Sequence, residues 1–389
     1  SHIHRFEDTD SIAEAYGDSN LSPHRLAWAE RNVNEASQAL VEKDARLFLH
    51  QSISTPCLSA VRKVEGIWIE DMGGQRYMDF HGNNVHHIGY GHPRLIEAIK
   101  RQMDVNPYTP RRFTDEAVVA LADKLVEISP DGLGKILLTC SGSDAIETSL
   151  KLARAITNRH KIVSFWDSYH GGNFGALSVG GQRFFRSGIG PLLSGTEHVP
   201  PFACYRCPYG YEDMDGQPNL DVCKMTCATM VEYVLEKEGD VAAVIAEPVS
   251  TLPHIPPPGF WKTVRAACDK HGALLIFDDI PGGLGKTGRM FTSEHDEVVP
   301  DFVVMGKALG GGILPVSAII TSPELDQMGH RSLGHYTHEK NPVMARAALT
   351  TIQIIEDEGL VENAARMGAR ALERLHEMKD EHPLIGDVR

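Results

Sequence analysis

Short apolar runs bounded by glycines and acidic residues recur through the central part of the chain. Ala273 to Phe277 reads ALLIF, and Phe302 to Met305 reads FVVM. Apolar runs of this length without alternation are typical of strands buried on both faces of a parallel sheet. Similar runs are KILL, KIV, VAAVIA and VSAII, and amphipathic helical patterns lie between them. The sequence therefore predicts an α/β fold with a mostly parallel sheet between helices.

The segment ahead of these runs has a different pattern, VRKVEGIWIEDMGGQRYMDF. Val64, Ile67 and Ile69 follow a short-period apolar pattern, and the pair Gly73-Gly74 separates two such stretches. Alternation interrupted by a glycine pair is typical of an antiparallel hairpin. We expect this hairpin to belong to a smaller domain.

Composition narrows the class of protein. The chain has 389 residues, 42% hydrophobic and 23% charged, which is ordinary for a soluble globular protein and long enough for a large core plus a smaller domain. Its net charge of −14 argues against nucleic acid and anionic membranes as partners. No apolar stretch is long enough to span a bilayer. Seven cysteines without a secretory pattern predict reduced thiols and a cytoplasmic location.

Two chemically useful side chains come directly after two of the predicted strands. Asp278 follows ALLIF, and Lys307 follows FVVM after one glycine. The carboxyl ends of parallel strands form the edge where open α/β folds bind ligands. A carboxylate and an amine there suit pyridoxal phosphate, which needs an acid for its ring nitrogen and a lysine for covalent attachment. Taken singly, Asp278 could cap a turn and Lys307 could lie on the surface; the pair favours the cofactor.

These residues, with KALGGG after the second strand, resemble the class III (omega) aminotransferases of pyridoxal-phosphate fold type I. The resemblance covers nearly the whole chain and implies a seven-stranded sheet in a large domain, residues 81–335, with a cysteine-rich loop at 200–229. It implies a small α+β domain built from residues 1–80 and 336–389, continuing past Arg389. It also implies a homodimer, or a larger assembly, with active sites at the subunit interface.

The resemblance also assigns a phosphate site. KILLTCSGSDAIE predicts a strand, a turn and a helix, and backbone N–H groups at such a helix start bind anions. The family's SGSEA-type loop places Ser141, Gly142 and Ser143 there. A threonine in the family's TFGGNP-like motif, here Thr337, reaches the phosphate of the other subunit.

Three further cofactor residues follow from the family pattern. It places an aromatic ring on the pyridine face at Tyr169, followed by His170, and an acid at Glu247 in the active site. A core tyrosine, a structural histidine and a structural ion pair are the alternatives for these positions. The expected catalytic residues are accordingly Lys307, Asp278 and Tyr169.

Basic residues provide candidate contacts for a small anionic amine substrate. Arg111 and Arg112 precede a predicted helix, and a guanidinium can fork onto a carboxylate or a phosphonate. The alternative is two solvated arginines near a helix start. Lys340 is a third candidate, and Arg183 and Arg186 complete the set.

Four cysteines form two close pairs. Cys204 and Cys207, then Cys223 and Cys227, resemble a structural zinc knuckle, although the second pair is one residue wider than the commonest spacing. The alternatives are free thiols or a disulfide. We therefore consider a structural zinc ion at these cysteines, in addition to pyridoxal phosphate.

Two departures from the family pattern bear on the reaction. The family has Glu-Val-Gln-Thr-Gly after the aspartate, where this chain has DIPGG, and Pro281 has no donor to replace the glutamine. The phosphate motif reads THEKNP. Both departures resemble lyases on this scaffold. They imply elimination of ammonia from a small amino-alcohol phosphonate, (R)-1-hydroxy-2-aminoethylphosphonate, giving phosphonoacetaldehyde. The alternatives are an omega-amino or aminophosphonate aminotransferase using pyruvate or 2-oxoglutarate, and a non-catalytic cofactor-binding protein, which retention of both Lys307 and Asp278 disfavours.

Overall fold

The computed structural model of the protein describes residues 23–51, 54, 57–211 and 219–389. They fall into two units. The first comprises the described residues up to Gly82 together with Gly89–His92, and the second comprises Asn83–Ile88 and Pro93–Arg389. The assignment of residues 336–389 to a small domain stays a prediction.

The first unit contains two helices and a small sheet. The helices are Pro23–Asn32 and Glu35–Leu47, and the antiparallel strands are β1 (Val61–Glu65), β2 (Trp68–Asp71) and β3 (Arg76–Met78). The turn between β2 and β3 is held by Asp71 Oδ1, which accepts hydrogen bonds from the amides of Gly73 and Gln75, both at 2.9 Å. The structure thus has the predicted hairpin and extends it by one strand.

The second unit is built on a seven-stranded sheet, as predicted. Its strands are β4 (Lys135–Thr139), β5 (Lys161–Phe165), β6 (Thr196–Val199), β7 (Val241–Ala246), β8 (Leu274–Asp278), β9 (Phe302–Met305) and β10 (Ser317–Thr321). The order is β4-β10-β9-β8-β7-β5-β6. Strand β10 runs antiparallel to β4 and β9, and the pairs β9-β8, β8-β7, β7-β5 and β5-β6 are parallel. The polar strand β6, TEHV, has no apolar run to predict it.

Helices cover both faces of this sheet. The longer ones are Pro93–Val105, Glu116–Ile128, Gly142–Thr157, Thr226–Glu238, Phe260–His271, Pro342–Asp357 and Leu360–Glu381; the shorter ones are Phe174–Val179, Arg183–Arg186 and Leu220–Cys223. Single 3₁₀ turns occur at Gly82–Asn84, Thr292–His295, Lys307–Gly310 and Pro323–Leu325. None of the helices in the described part of the chain combines the length and apolar character needed to cross a bilayer.

The two faces of β9 show why the strands are continuously apolar. Phe302 and Val304 pack into the cluster that contains Ile146 and Leu150 of the Gly142–Thr157 helix. The intervening Val303 belongs to the opposite cluster, with residues of the Glu116–Ile128 and Pro342–Asp357 helices. Because each residue of β9 meets one of two helical layers, the strand is apolar along its whole length, and Lys307 follows only after it ends.

Candidate active site

The ends of two adjacent parallel strands carry the predicted acid and amine. Asp278 is the last residue of β8 and pairs in register with Val304 of β9, and Lys307 follows β9 after Gly306. Lys307 has φ +46°, which residues with side chains rarely adopt. A Cβ on Gly306 would lie 2.6 Å from Ser317 Oγ, so the bend requires a glycine there. Such backbone strain is typical of functional positions.

Asp278 is paired with His170. His170 Nδ1 lies 2.8 Å from Asp278 Oδ2, and each residue is only 2% exposed. Since a carboxylate accepts hydrogen bonds, Nδ1 carries the proton in this pair. The pairing orients the carboxylate and offsets part of the free energy of burying it. His170 Nε2 is buried, and no described residue lies within hydrogen-bonding distance of it.

Glu247, directly after β7, anchors the Tyr169 loop. Its Oε1 accepts from the Tyr169 amide at 3.1 Å, and its Oε2 accepts from the Thr251 amide at 2.6 Å and from Thr251 Oγ1 at 3.2 Å. Burial raises the pKa of Glu247, although the nearby His170 opposes the shift. These contacts, all with described residues, indicate that Glu247 positions the backbone of Tyr169.

The Tyr169 ring packs against Phe185. Its centroid is 4.4 Å from that of Phe185, at an interplanar angle of 46°. Burial and the negative charge of Asp278 raise the pKa of Tyr169. Its hydroxyl therefore keeps its proton at neutral pH, close to the carboxylate.

The start of the Gly142–Thr157 helix is closely fitted against the Tyr169 loop. Ser141 is the N-cap, accepting from the Asp144 amide at 3.1 Å, and Ser143 Oγ accepts from the Gly172 amide at 3.0 Å. Gly171 has φ +133°, and a Cβ there would lie 2.4 Å from Ser143 Oγ. The glycine therefore permits a close approach that positions the helix start at the same sheet edge.

Ile280 was not singled out from the sequence. A Cβ on Gly142 would lie 2.8 Å from Ile280 Cδ1, and one on Gly306 would lie 3.4 Å from Ile280 Cγ2. Ile280 thus packs between the two glycines and links the helix start to the Lys307 turn. The sequence feature that could have identified Ile280 is an apolar residue two positions after Asp278.

Within the described part of the chain, the predicted substrate residues form no hydrogen bond with the predicted catalytic residues. Arg111 Nη2 is 2.8 Å from His335 Nε2, and Arg112 and Lys340 are exposed. Across the described residues, no hydrogen bond or ion pair joins these three to Asp278 or Lys307. Their role in binding substrate stays a prediction.

Thr337 is exposed, and its carbonyl accepts from Tyr108 Oη at 3.4 Å. The ring of Tyr108 meets that of His338 edge to face, with centroids 5.4 Å apart. Contact of Thr337 with another subunit's phosphate likewise stays a prediction.

The zinc expectation is not supported. Cys204, Cys207, Cys223 and Cys227 line one small cavity, but no group of three or more His, Cys, Asp or Glu side chains within residues 23–51, 54, 57–211 and 219–389 is arranged to hold a metal. Burial raises the pKa of Cys227 to about 12, so its thiol keeps its proton at neutral pH in the metal-free protein. All seven cysteines are free. Residues 212–218 of the predicted loop lie outside the described residues.

Lys286, in the glycine-rich segment GGLGKTG, is a further basic group that sequence reasoning missed. Its Nζ donates a hydrogen bond to Asn84 Oδ1. Packing around the ammonium and the nearby positive charge of Lys307 lower its pKa. A lysine among glycines soon after the Asp278 strand was the signal that could have found it.

This arrangement fits pyridoxal phosphate. A buried acid oriented by His170, a lysine in a strained turn, a protonated tyrosine and a helix start lined by serine and glycine supply the donor set that the cofactor requires. A mostly parallel sheet with these groups at its carboxyl edge defines a fold-type I enzyme that depends on this cofactor. The family model "Aminotransferase class-III" matches residues 50–389, and the chain belongs to this family.

Named relatives differ in activity. The chain is 45% identical over 381 residues to an (R)-1-hydroxy-2-aminoethylphosphonate ammonia-lyase of Vibrio splendidus, covering 96% of this chain and 80% of that protein. It is 38% identical over 367 residues to a leucine/methionine racemase of Thermococcus litoralis, covering 90% and 79%. Among solved structures, an (S)-enantioselective omega-transaminase from Thermomicrobium roseum matches with a TM-score of 0.83 at 31% identity, covering 90% and 82%. The predicted fold type and family are confirmed.

Proposed function

We propose that this enzyme is an ammonia-lyase that converts (R)-1-hydroxy-2-aminoethylphosphonate to phosphonoacetaldehyde and ammonia. The observation that carries the proposal is the position of Asp278 and Lys307 at the ends of adjacent parallel strands. Similarity to the Vibrio splendidus ammonia-lyase over 96% of this chain supports the lyase reaction and its phosphonate substrate.

Each residue of the site has a role in this reaction. When bound, pyridoxal phosphate supplies an electron sink next to the carbon that bears the amine. Lys307 Nζ takes the proton from that carbon. Asp278, which His170 orients, would hold the proton on the ring nitrogen of the bound cofactor, and Tyr169 would pack against the cofactor ring. Ser141, Gly142 and Ser143 receive the phosphate at the helix start.

The atoms balance without an oxidant. After the proton leaves the carbon bearing nitrogen, the neighbouring carbon loses its hydroxyl, which Lys307 protonates as it departs as water. Hydrolysis of the released enamine consumes one water and gives the aldehyde and ammonia. No keto acid takes part, so a lyase turns over without a second substrate.

Pro281 separates this site from the family pattern. It is buried and stands where the resemblance places a glutamine that donates to the cofactor's phenolic oxygen. Proline cannot donate from its side chain or its backbone nitrogen. The loss of this donor supports a reaction other than standard transamination.

The alternative is an omega-amino or aminophosphonate aminotransferase using pyruvate or 2-oxoglutarate. Similarity to the transaminase of Thermomicrobium roseum favours it. In either case we propose a homodimer with Thr337 of one subunit near the phosphate of the other, and contacts from Arg111, Arg112 or Lys340 to the substrate.

Ammonia release distinguishes the two reactions. The holoenzyme is incubated with the amino-alcohol phosphonate and no keto acid, and ammonia and phosphonoacetaldehyde are measured over time. The lyase releases both steadily over many turnovers, with no effect of added pyruvate. A single half-turnover that resumes only when pyruvate is added would identify an aminotransferase and overturn the proposal.

A further inference from the structure

Lys286 is held in place by a neutral partner. Asn84, which is uncharged, accepts a hydrogen bond from Lys286 Nζ through its Oδ1. Asn84 itself has φ +61°, a conformation that asparagine tolerates better than most residues. The segment that carries Asn84 is also tied to the Lys286 turn, because His87 Nε2 lies 3.2 Å from the carbonyl oxygen of Gly283. The ammonium is therefore oriented without being neutralised.

Two other lysines, Lys124 and Lys262, pair with carboxylates instead. Lys124 contacts the carboxylates of Glu127 and Glu356, each at 2.8 Å, and Lys262 contacts Glu297 at 2.8 Å. Among the described residues, no carboxylate pairs with Lys286. Its charge is therefore available to an anion from solution.

The charge of Lys286 also affects two neighbouring groups, Lys307 and His87. The turn that carries Lys286 is joined to the end of the Asp278 strand, because the Gly283 amide donates to the Asp279 carbonyl oxygen at 2.9 Å, and the positive charge of Lys307 acts on Lys286 there. Burial and, to a smaller extent, the charge of Lys286 lower the pKa of His87 to about 4, so this histidine is neutral at pH 7 and adds no further positive charge. An anion placed here would relieve the repulsion between the two amines.

We propose that Lys286, oriented by Asn84, binds the anionic phosphonate group of the substrate. The proposal rests on the function proposed above, because it assigns the recognition of that substrate's anion. The substrate's phosphonate and the cofactor's phosphate are the two sources of a tetrahedral oxyanion for Lys286. The substrate is favoured because the helix start at Ser141 to Ser143 already provides an anion site for the cofactor.

Substrate kinetics of the holoenzyme test this role. Lys286→Gln keeps a donor for Asn84 but removes the charge, and we expect KM for the phosphonate to rise about 10- to 100-fold, as for loss of a charge-assisted hydrogen bond. Lys286→Arg restores most of the affinity, and kcat changes less than KM. Lys262→Gln, which removes an exposed lysine elsewhere, leaves KM unchanged. An unchanged KM in Lys286→Gln overturns the proposal.

Binding of methylphosphonate separates this inference from the proposed function. Titration calorimetry on the holoenzyme should show at least about tenfold weaker binding in Lys286→Gln than in wild type or Lys262→Gln. If wild type releases no ammonia but this difference holds, the function fails and the anion site stands. If Lys286→Gln instead weakens pyridoxal phosphate binding and leaves methylphosphonate binding unchanged, the anion is the cofactor's and the proposal is wrong.

Discussion

The acidic and the basic groups near the carboxyl ends of the strands differ in how far other protein groups compensate their charges. On the acidic side, Asp278 is buried and paired with His170, and Glu247 accepts three hydrogen bonds. On the basic side, Lys286 and Lys307 repel each other, and no carboxylate of the described residues compensates Lys286. The described residues supply hydrogen-bond partners to the acidic groups, whereas they supply no carboxylate to Lys286, and this is the basis of the proposed phosphonate site.

This difference indicates separate roles for the acidic and the basic groups. A group that must keep one protonation state on a cofactor benefits from fixed, dry surroundings, since preorganised partners need no rearrangement during the reaction. A group that must receive and release a substrate cannot be neutralised permanently by the protein. The strained φ of Lys307 belongs to this second, less satisfied side.

The largest effect within this comparison is expected from removing the charge on the acidic side. Asp278→Asn keeps the shape and can still accept a hydrogen bond from His170, but it cannot hold a proton on the ring nitrogen. We expect kcat/KM to fall about 10²- to 10⁴-fold, the range typical of losing one proton-holding or charge-stabilising group. Steady-state ammonia release measures the loss.

The matched control is Asp326→Asn, which removes an exposed carboxylate that lies 2.9 Å from Lys135 Nζ. It should change kcat/KM by less than about twofold and stability by less than about 1 kcal/mol. Activity of Asp278→Asn within tenfold of wild type, in a protein with unchanged circular dichroism, contradicts the role of Asp278.

A smaller effect, on the pH dependence of stability, is expected from Asp279, a second buried acid next to Asp278. Asp279 is 3% exposed and accepts from the Thr292 amide at 2.9 Å, and no cation pairs with it among the described residues. Burial raises its pKa from 3.8 to about 7. Between these values the folded state holds a proton that the unfolded state has lost, so stability falls as pH rises through this window and is level above about 7.

The Asp279→Asn variant lacks this titration. Between pH 5 and pH 7, the free energy of unfolding of wild type should fall relative to the variant by about 2 kcal/mol, since one pKa unit corresponds to about 1.4 kcal/mol. Urea unfolding at a series of pH values measures both proteins. Parallel curves for the two would show that Asp279 is ionised in the folded state across this range.

Local patterns predicted most of the sheet. Strands β7 and β9 are apolar throughout and β8 is apolar up to Asp278, so the sequence alone identifies these strands, the acid that ends β8 and the amine that follows β9. The hairpin followed from alternation and its glycine pair. The polar strand β6 could not be predicted, because it depends on pairing with β5 and not on its own composition.

Parts of the site depend on long-range contacts that no local pattern contains. His170 and Asp278 are 108 positions apart, and Lys286 reaches Asn84 across 202 positions. The resemblance to the family indicated that His170 was functional, but only the fold shows that it acts on Asp278. The structural zinc ion considered for the four cysteines is not supported by the described residues, because cysteine spacing alone does not specify the directions of the thiols.

The central claim is that Lys307 and Asp278 meet the same cofactor, and the absorption spectrum tests it most directly. The purified enzyme with added pyridoxal phosphate should show a band near the edge of the visible range that persists through desalting and in Lys262→Ala. That band should be absent in Lys307→Ala. A colourless wild type that ignores the cofactor, or a Lys307→Ala spectrum identical to that of wild type, would contradict the account.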